Sequence, residues 1–255
     1  MFSLLRNKFN IKPLMYKRPL SAHSSISDFF FYINSNDFIT KFNLINISSQ
    51  IIPESNDHDL INIIIFDQNG NITEKIKENL KPFEVKQVYF SDLTKNPYGS
   101  FLVFHNFDSQ NKIIQNNSFS SERGYVGYKK KNSVWNFVHG NGSAFSYSND
   151  SKLESVKNTS LINQTYTPQL LFDDCDTFEL IFNNPLKQDT KIKIYIYNKE
   201  QKVINTRIIS LSKYSTRIVN FKDQNIFFLE ISSKIIFYRP IIIKYYNDNF
   251  DIFHG

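Results

Sequence analysis

Between residues 61 and 65 this chain reads Ile-Asn-Ile-Ile-Ile, and 131 positions later, between 192 and 196, it reads Ile-Lys-Ile-Tyr-Ile. Side chains two residues apart share one face of a strand, and β-branched residues suit the pleated surface of a sheet. Most other apolar runs are equally short, rich in Ile, Val, Phe and Tyr, and broken by Asn, Asp and Gly. Helical periodicity is nearly absent. Candidate strands cover 38–47, 61–67, 84–91, 100–105, 124–129 and 134–139, then 177–183, 191–198, 203–210, 214–221, 234–238 and 241–246. Many short strands joined by turns predict an all-β sandwich.

The offset of 131 holds without a gap from 61–92 to 192–223. Leu80 falls on Leu211, Phe83 on Tyr214, Val88 on Val219, Phe90 on Phe221 and Asp92 on Asp223. Two hexamers then close the comparison: Trp-Asn-Phe-Val-His-Gly at 135–140 and Phe-Asp-Ile-Phe-His-Gly at 250–255. Arg123 precedes His139 by 16 residues, and Arg239 precedes His254 by 15. The expected fold is therefore all-β, with two tandem repeated β-sandwich units that can pack about a pseudo-twofold axis. Unit one spans 28–143 with a polar insertion at about 106–121, and unit two spans 170–255. A basic arm, 1–27, precedes them, and 144–169 reads as a linker or crossing segment.

Charge placement limits the partners. Arg6, Lys8, Lys12, Lys17 and Arg18 give the acid-free segment 1–27 a charge of +5, out of +6 for the whole chain. The remainder is close to neutral, so no electrostatic footprint for nucleic acid is expected. With a single cysteine, Cys175, there is no internal disulfide and no cysteine-based zinc site. Neighbouring Asp173, Asp174 and Asp176 disfavour its thiolate. No stretch is long and apolar enough for a transmembrane helix. These features suit a bacterial cytoplasmic protein, although the basic, Ser-containing start also fits an organellar targeting segment.

Arg and His-Gly recur in both halves, where most surface identities have drifted. Arg offers a fork of donors for carboxylate, phosphate or hydroxyl groups. His beside Gly gives a titratable ring next to closely approachable backbone. The structural alternative is a strand-end His bonded to backbone and an Arg paired with an acid. Trp135, Phe137 and His139 share one strand face, near Tyr125. Exposed, that face stacks on a sugar ring; buried, it is core. Arg123, Tyr125, Trp135, His139, Gly140, Arg239, His254 and Gly255 thus form the candidate ligand-binding set. His105 is a lone strand-end histidine, and the three aspartates around Cys175 read as a solvated turn rather than a calcium site. No catalytic motif, metal-ligand spacing or phosphate-cradling glycine loop occurs, so no catalytic residue, metal or cofactor is assigned.

The stretch 63–110, from "IIIFDQNGN" through "VYFSDL" to "FLVFHNFDSQ", resembles the small β-sandwich proteins related to the sensory rhodopsin transducer. The resemblance implies a compact sandwich with a small-ligand or carbohydrate-binding role and no catalysis. The expected function is a non-catalytic binding or interaction protein, carbohydrate-related. Its partner would be a small molecule or sugar, or another protein or a second copy of the chain. One alternative is an enzyme or enzyme subunit acting on a sugar or nucleotide-sugar with His139 or His254 as general base; another is a purely structural oligomer.

Overall fold

The computed structural model describes residues 24–35, 37–51, 54, 56–106, 124–131, 133–148, 150–157, 159–222, 225–236, 238–247 and 249–254. The strands in its first half are β1 Ser24–Ile33, β2 Phe38–Ile45, β3 Asp59–Asp67, β4 Ile72–Leu80, β5 Val85–Tyr89, β6 Tyr98–Phe104, β7 Tyr125–Lys130, β8 Asn136–His139 and β9 Asn141–Ser148. Those that follow are β10 Leu153–Ser155, β11 Thr159–Tyr166, β12 Thr177–Asn183, β13 Thr190–Tyr197, β14 Val203–Leu211, β15 Thr216–Phe221, β16 Phe228–Ile235, β17 Ile241–Tyr246 and β18 Asn249–His254. Among the described residues, helix is confined to single turns at Ile47–Ile51 and Phe90–Leu93. The all-β expectation therefore holds, at 63% strand against 4% helix among the described residues.

The architecture differs from the expected pair of sandwiches. Four antiparallel sheets form the blades of a four-bladed propeller. The first blade has the strand order β10-β9-β1-β6-β3-β4 and the second β5-β2-β7-β8; the third is β15-β12-β17-β18 and the fourth β11-β16-β13-β14. Two self-contained sandwich units would each close their own core. Here the largest hydrophobic cluster joins Phe30, Phe42, Phe101 and Val138 of the first two blades to Ile181, Ile241, Phe250 and Ile252 of the third. A second cluster lies between blades three and four, around Phe178, Leu180, Ile194 and Leu229. A third covers the other face of the first blade, with Phe29, Phe66, Leu102 and Phe145, and takes Tyr214 from the far half of the chain.

The likeness at an offset of 131 is a likeness between hairpins inside blades. Ile63 pairs with Ile76 in β3–β4, and Ile194 pairs with Arg207 in β13–β14. Both hairpins shift register just after the third Ile, at Ile65/Phe66 and Ile196/Tyr197. The left-handed backbone positions also match: φ is +87° at Gly70 and 59° at Gln201, 61° at Phe83 and 59° at Tyr214. Gln201 adopts this conformation on an exposed turn, where its side chain meets open space. At Gly70 a side chain would collide, because a Cβ there would sit 2.2 Å from the carbonyl oxygen of Lys213. The β3–β4 turn thus lies directly on the β14–β15 turn, and the Thr216 amide donates to the Gln68 carbonyl at 3.0 Å.

Two buried asparagines fasten equivalent corners. The Asn46 amide donates to the carbonyls of Asp57, Leu80 and Lys81, and its own oxygen accepts from Ser48 and the Ser49 amide. The Asn184 amide donates to Gln188, Leu211 and Ser212, and its oxygen accepts from the Leu186 amide. Each asparagine side chain is fully buried and ties together carbonyls at the strand ends and turns around it. Asn184→Ala is expected to lower unfolding free energy by about 1–3 kcal/mol, the cost of leaving buried acceptors unpaired. Urea denaturation of the variant against the parent checks this, and a change within a few tenths of a kcal/mol contradicts it.

Candidate functional site

The outward face of the second blade carries a stripe of rings. In the β7–β8 register Tyr125 opposes His139, and Gly127 opposes Phe137. Alternation brings Trp135, Phe137 and His139 to the same face as Tyr125. Phe137 lies across Gly127, whose Cβ would fall 2.7 Å from the ring. Ring centroids are 6.4 Å apart for Tyr89–Trp135 and for Trp135–Phe137. The Lys41 ammonium, on a nearly buried stem, sits 4.2 Å from the Trp135 ring centre and 5.5 Å from that of Phe137. It holds the two rings together by cation–π attraction while they keep an open side. Phe137 remains 44% exposed and Tyr125 59%, so this face is surface and not core. Trp135 is half-buried.

The stripe crosses from the second blade to the third through a histidine pair. His139 ends β8, His254 ends β18, and their rings stack at 4.2 Å with 27° between planes. Asn136 donates to the Phe250 carbonyl at 3.2 Å, holding the two strands side by side. His139 Nδ1 lies 3.0 Å from the Gly140 carbonyl oxygen. Gly140 itself is packing: it is buried, and a Cβ there would lie 2.7 Å from the Phe30 ring.

Beyond His254 the stripe enters a cavity of about 280 Å³ lined by Tyr166, Thr167, Gln169, Leu170, Arg239, Phe253 and His254. The β17–β18 register pairs Ile241 with His254, which brings Arg239, two residues upstream, to the same end of the hairpin. This accounts for the spacing between Arg239 and His254. The guanidinium lies 5.4 Å from the Tyr166 ring centre. Burial raises the Tyr166 phenol above its ordinary value, with Arg239 acting in the opposite sense. Of the expected site residues, Arg123 and Gly255 lie outside the described residues. Sequence reasoning passed over Tyr89, Lys41, Tyr166 and Lys157, which the folded chain adds to this region.

Lys157 carries the electrostatics of the seam. It is buried, as is Asp28 on β1. Burial pushes the Lys157 ammonium down to about 8; Asp28 opposes this and the like charge of Arg239 adds to it. Elsewhere the polar clusters are structural. Asp174 pairs with the buried Lys244 at 2.7 Å, Asp173 pairs with Lys199 at 3.1 Å, and Asp176 accepts from the Asn247 amide at 2.6 Å. All three carboxylates of the acidic turn thus contact groups of the protein itself. Burial, reinforced by the three aspartates against the opposing charge of Lys244, raises the Cys175 thiol. His105 Nδ1 meets the buried Asp59 carboxylate at 2.5 Å, and that carboxylate also accepts from the Asn106 amide at 2.8 Å. Among the described residues no cluster of His, Cys, Asp and Glu could hold a metal ion, and no helix is long and apolar enough to cross a membrane. In comparisons with known proteins, the chain matches no family model and no curated sequence.

Between pH 8 and the ordinary lysine value of 10.5, the unfolded chain holds the Lys157 proton and the folded chain releases it. Stability attributable to this residue therefore rises with pH across that window and is lost below it. Subtracting the urea stability of Lys157→Gln from that of the parent at each pH isolates the term. The difference is expected to grow by on the order of 2 kcal/mol from pH 8 to 10.5. A difference flat with pH contradicts the lowered value.

Proposed function

We propose that this protein is a non-catalytic binding protein that takes a carbohydrate on the outward face of its second blade. One observation carries the reading: Trp135, Phe137 and Tyr125 present rings to solvent on one face, with Tyr89 extending the row. Large apolar rings gathered on a surface mark a binding site more often than a solvated face. An aromatic ring offers a flat apolar surface to the C–H face of a sugar, and polar neighbours meet its hydroxyls. Here Asn43 and Gln87, paired across β2 and β5, supply those groups at the rim. Lys41 keeps Trp135 and Phe137 in a fixed relation, which reduces the conformational entropy lost on binding.

The test is a panel of neutral and acidic oligosaccharides screened on an array, with hits measured by titration calorimetry. Trp135→Ala and Phe137→Ala are each expected to weaken binding about tenfold, equivalent to about 1.4 kcal/mol. The melting temperature should stay close to that of the parent, since these rings are not core. If no oligosaccharide binds, or if both variants bind as the parent does, the reading fails. Capture of a protein instead of a sugar through the same two rings would also overturn it.

A further inference from the structure

The structure assigns a second site to this chain: we infer that the cavity between Arg239, His254 and Tyr166 binds the oxyanion of a small molecule, a carboxylate or a phosphate. The inference stands on the cavity and is independent of the carbohydrate reading. At about 280 Å³ the space holds roughly nine water volumes, enough for a phosphate or a small dicarboxylate. Its polar lining consists of the Arg239 guanidinium, the His254 imidazole, the Thr167 hydroxyl, the Gln169 amide and the Tyr166 phenol. Every one of these groups can donate a hydrogen bond, and among the described residues no acid belongs to the lining.

The setting of Arg239 sharpens the inference. Among the described residues its side chain makes no ion pair; its contact is the Tyr166 ring, a neutral partner. A guanidinium lying over an aromatic face keeps its fork of donors free for a planar or tetrahedral oxyanion. A second cation, Lys157, lies close enough for the two charges to repel, and burial works against the Lys157 charge as well. An anion beside Arg239 would relieve both costs. The stacked His139 ring holds the plane of the His254 ring. The β17–β18 hairpin fixes Arg239 against His254, while the end of β11 and the segment after it supply Tyr166, Thr167 and Gln169. The donors thus come from two blades and converge only in the folded chain.

Titration calorimetry with inorganic phosphate and with malonate, at constant ionic strength set by chloride, tests the inference. The parent protein should bind at least one of the two above the chloride control, and the preferred anion identifies the source chemistry. Arg239→Gln should weaken that anion tenfold or more, and His254→Gln at least threefold. The titration midpoint of Lys157, followed by carbon-13 signals of its Cε, should move upward on saturation with the anion. If Arg239→Gln lowers the melting temperature by more than a few degrees, Arg239→Lys takes its place. That variant keeps the charge and loses the fork, so weakened binding of the preferred anion is expected and unchanged binding overturns the site. Absence of binding of both anions by the parent overturns it, as does affinity unaltered in Arg239→Gln. These anions carry no sugar ring, so the result does not depend on the aromatic stripe.

Discussion

The third blade is buried on both faces, and the rest of the molecule is organised around that fact. On β12, Leu180 faces the cluster shared with the fourth blade, while the next residue, Ile181, faces the cluster shared with the first two. On β17, Ile242 takes the first direction and Ile241 and Ile243 the second. A strand packed on both sides must be apolar at successive positions, and that need produces the run Ile241-Ile242-Ile243. The same holds for Phe29-Phe30-Phe31-Tyr32 on β1, none of which is exposed. Once the third blade is enclosed in this way, β8 and β18 are brought side by side. The histidine pair and the cavity beside it follow from that placement.

The strand class was legible because the Ile-x-Ile alternation of β3 and β13 leaves little else for those segments to do. The number of sheets was not. A contiguous apolar run such as Ile241–Ile243 shows burial on both faces but does not name the sheet on each side. β4 carries charged and polar residues at most positions, and β9, β10 and β11 lie in a segment rich in Ser and Asn. Their strand character comes from ladder bonds to neighbours distant in sequence, which local composition does not encode. Asn46 and Asn184 were hidden in a different way. In a chain this rich in asparagine, nothing local separates the two that bracket turns from the many on the surface.

The candidate site was legible in part. The hexamers ending in His139 and His254 pointed to the residues that meet at the seam, and the spacing from Arg239 anticipated its place beside His254. Tyr125 and Trp135 were also found, because alternation alone fixes the face they share. Lys157 and Tyr166 left no such mark. They occupy polar stretches between more patterned elements, and their relevance comes entirely from being folded against Asp28 and Arg239. Gly140 was selected for its neighbour and proves to be a packing residue under Phe30.

The contact between the turns at Gly70 and Lys213 bears on how the chain reaches this state. Gln68 and Thr216, joined there by a backbone hydrogen bond, are 148 residues apart in sequence (216 minus 68). Such a bond closes a very large loop, and its entropic cost must be met before the bond contributes. β-Rich chains with pairings this distant fold slowly compared with helical proteins of similar length. The two turns therefore act as a latch between the two halves of the chain. While it is open, the apolar face of the first blade around Phe66 and Phe145 lacks Tyr214 as its cover. Until the latch closes, that uncovered apolar face is surface open to aggregation.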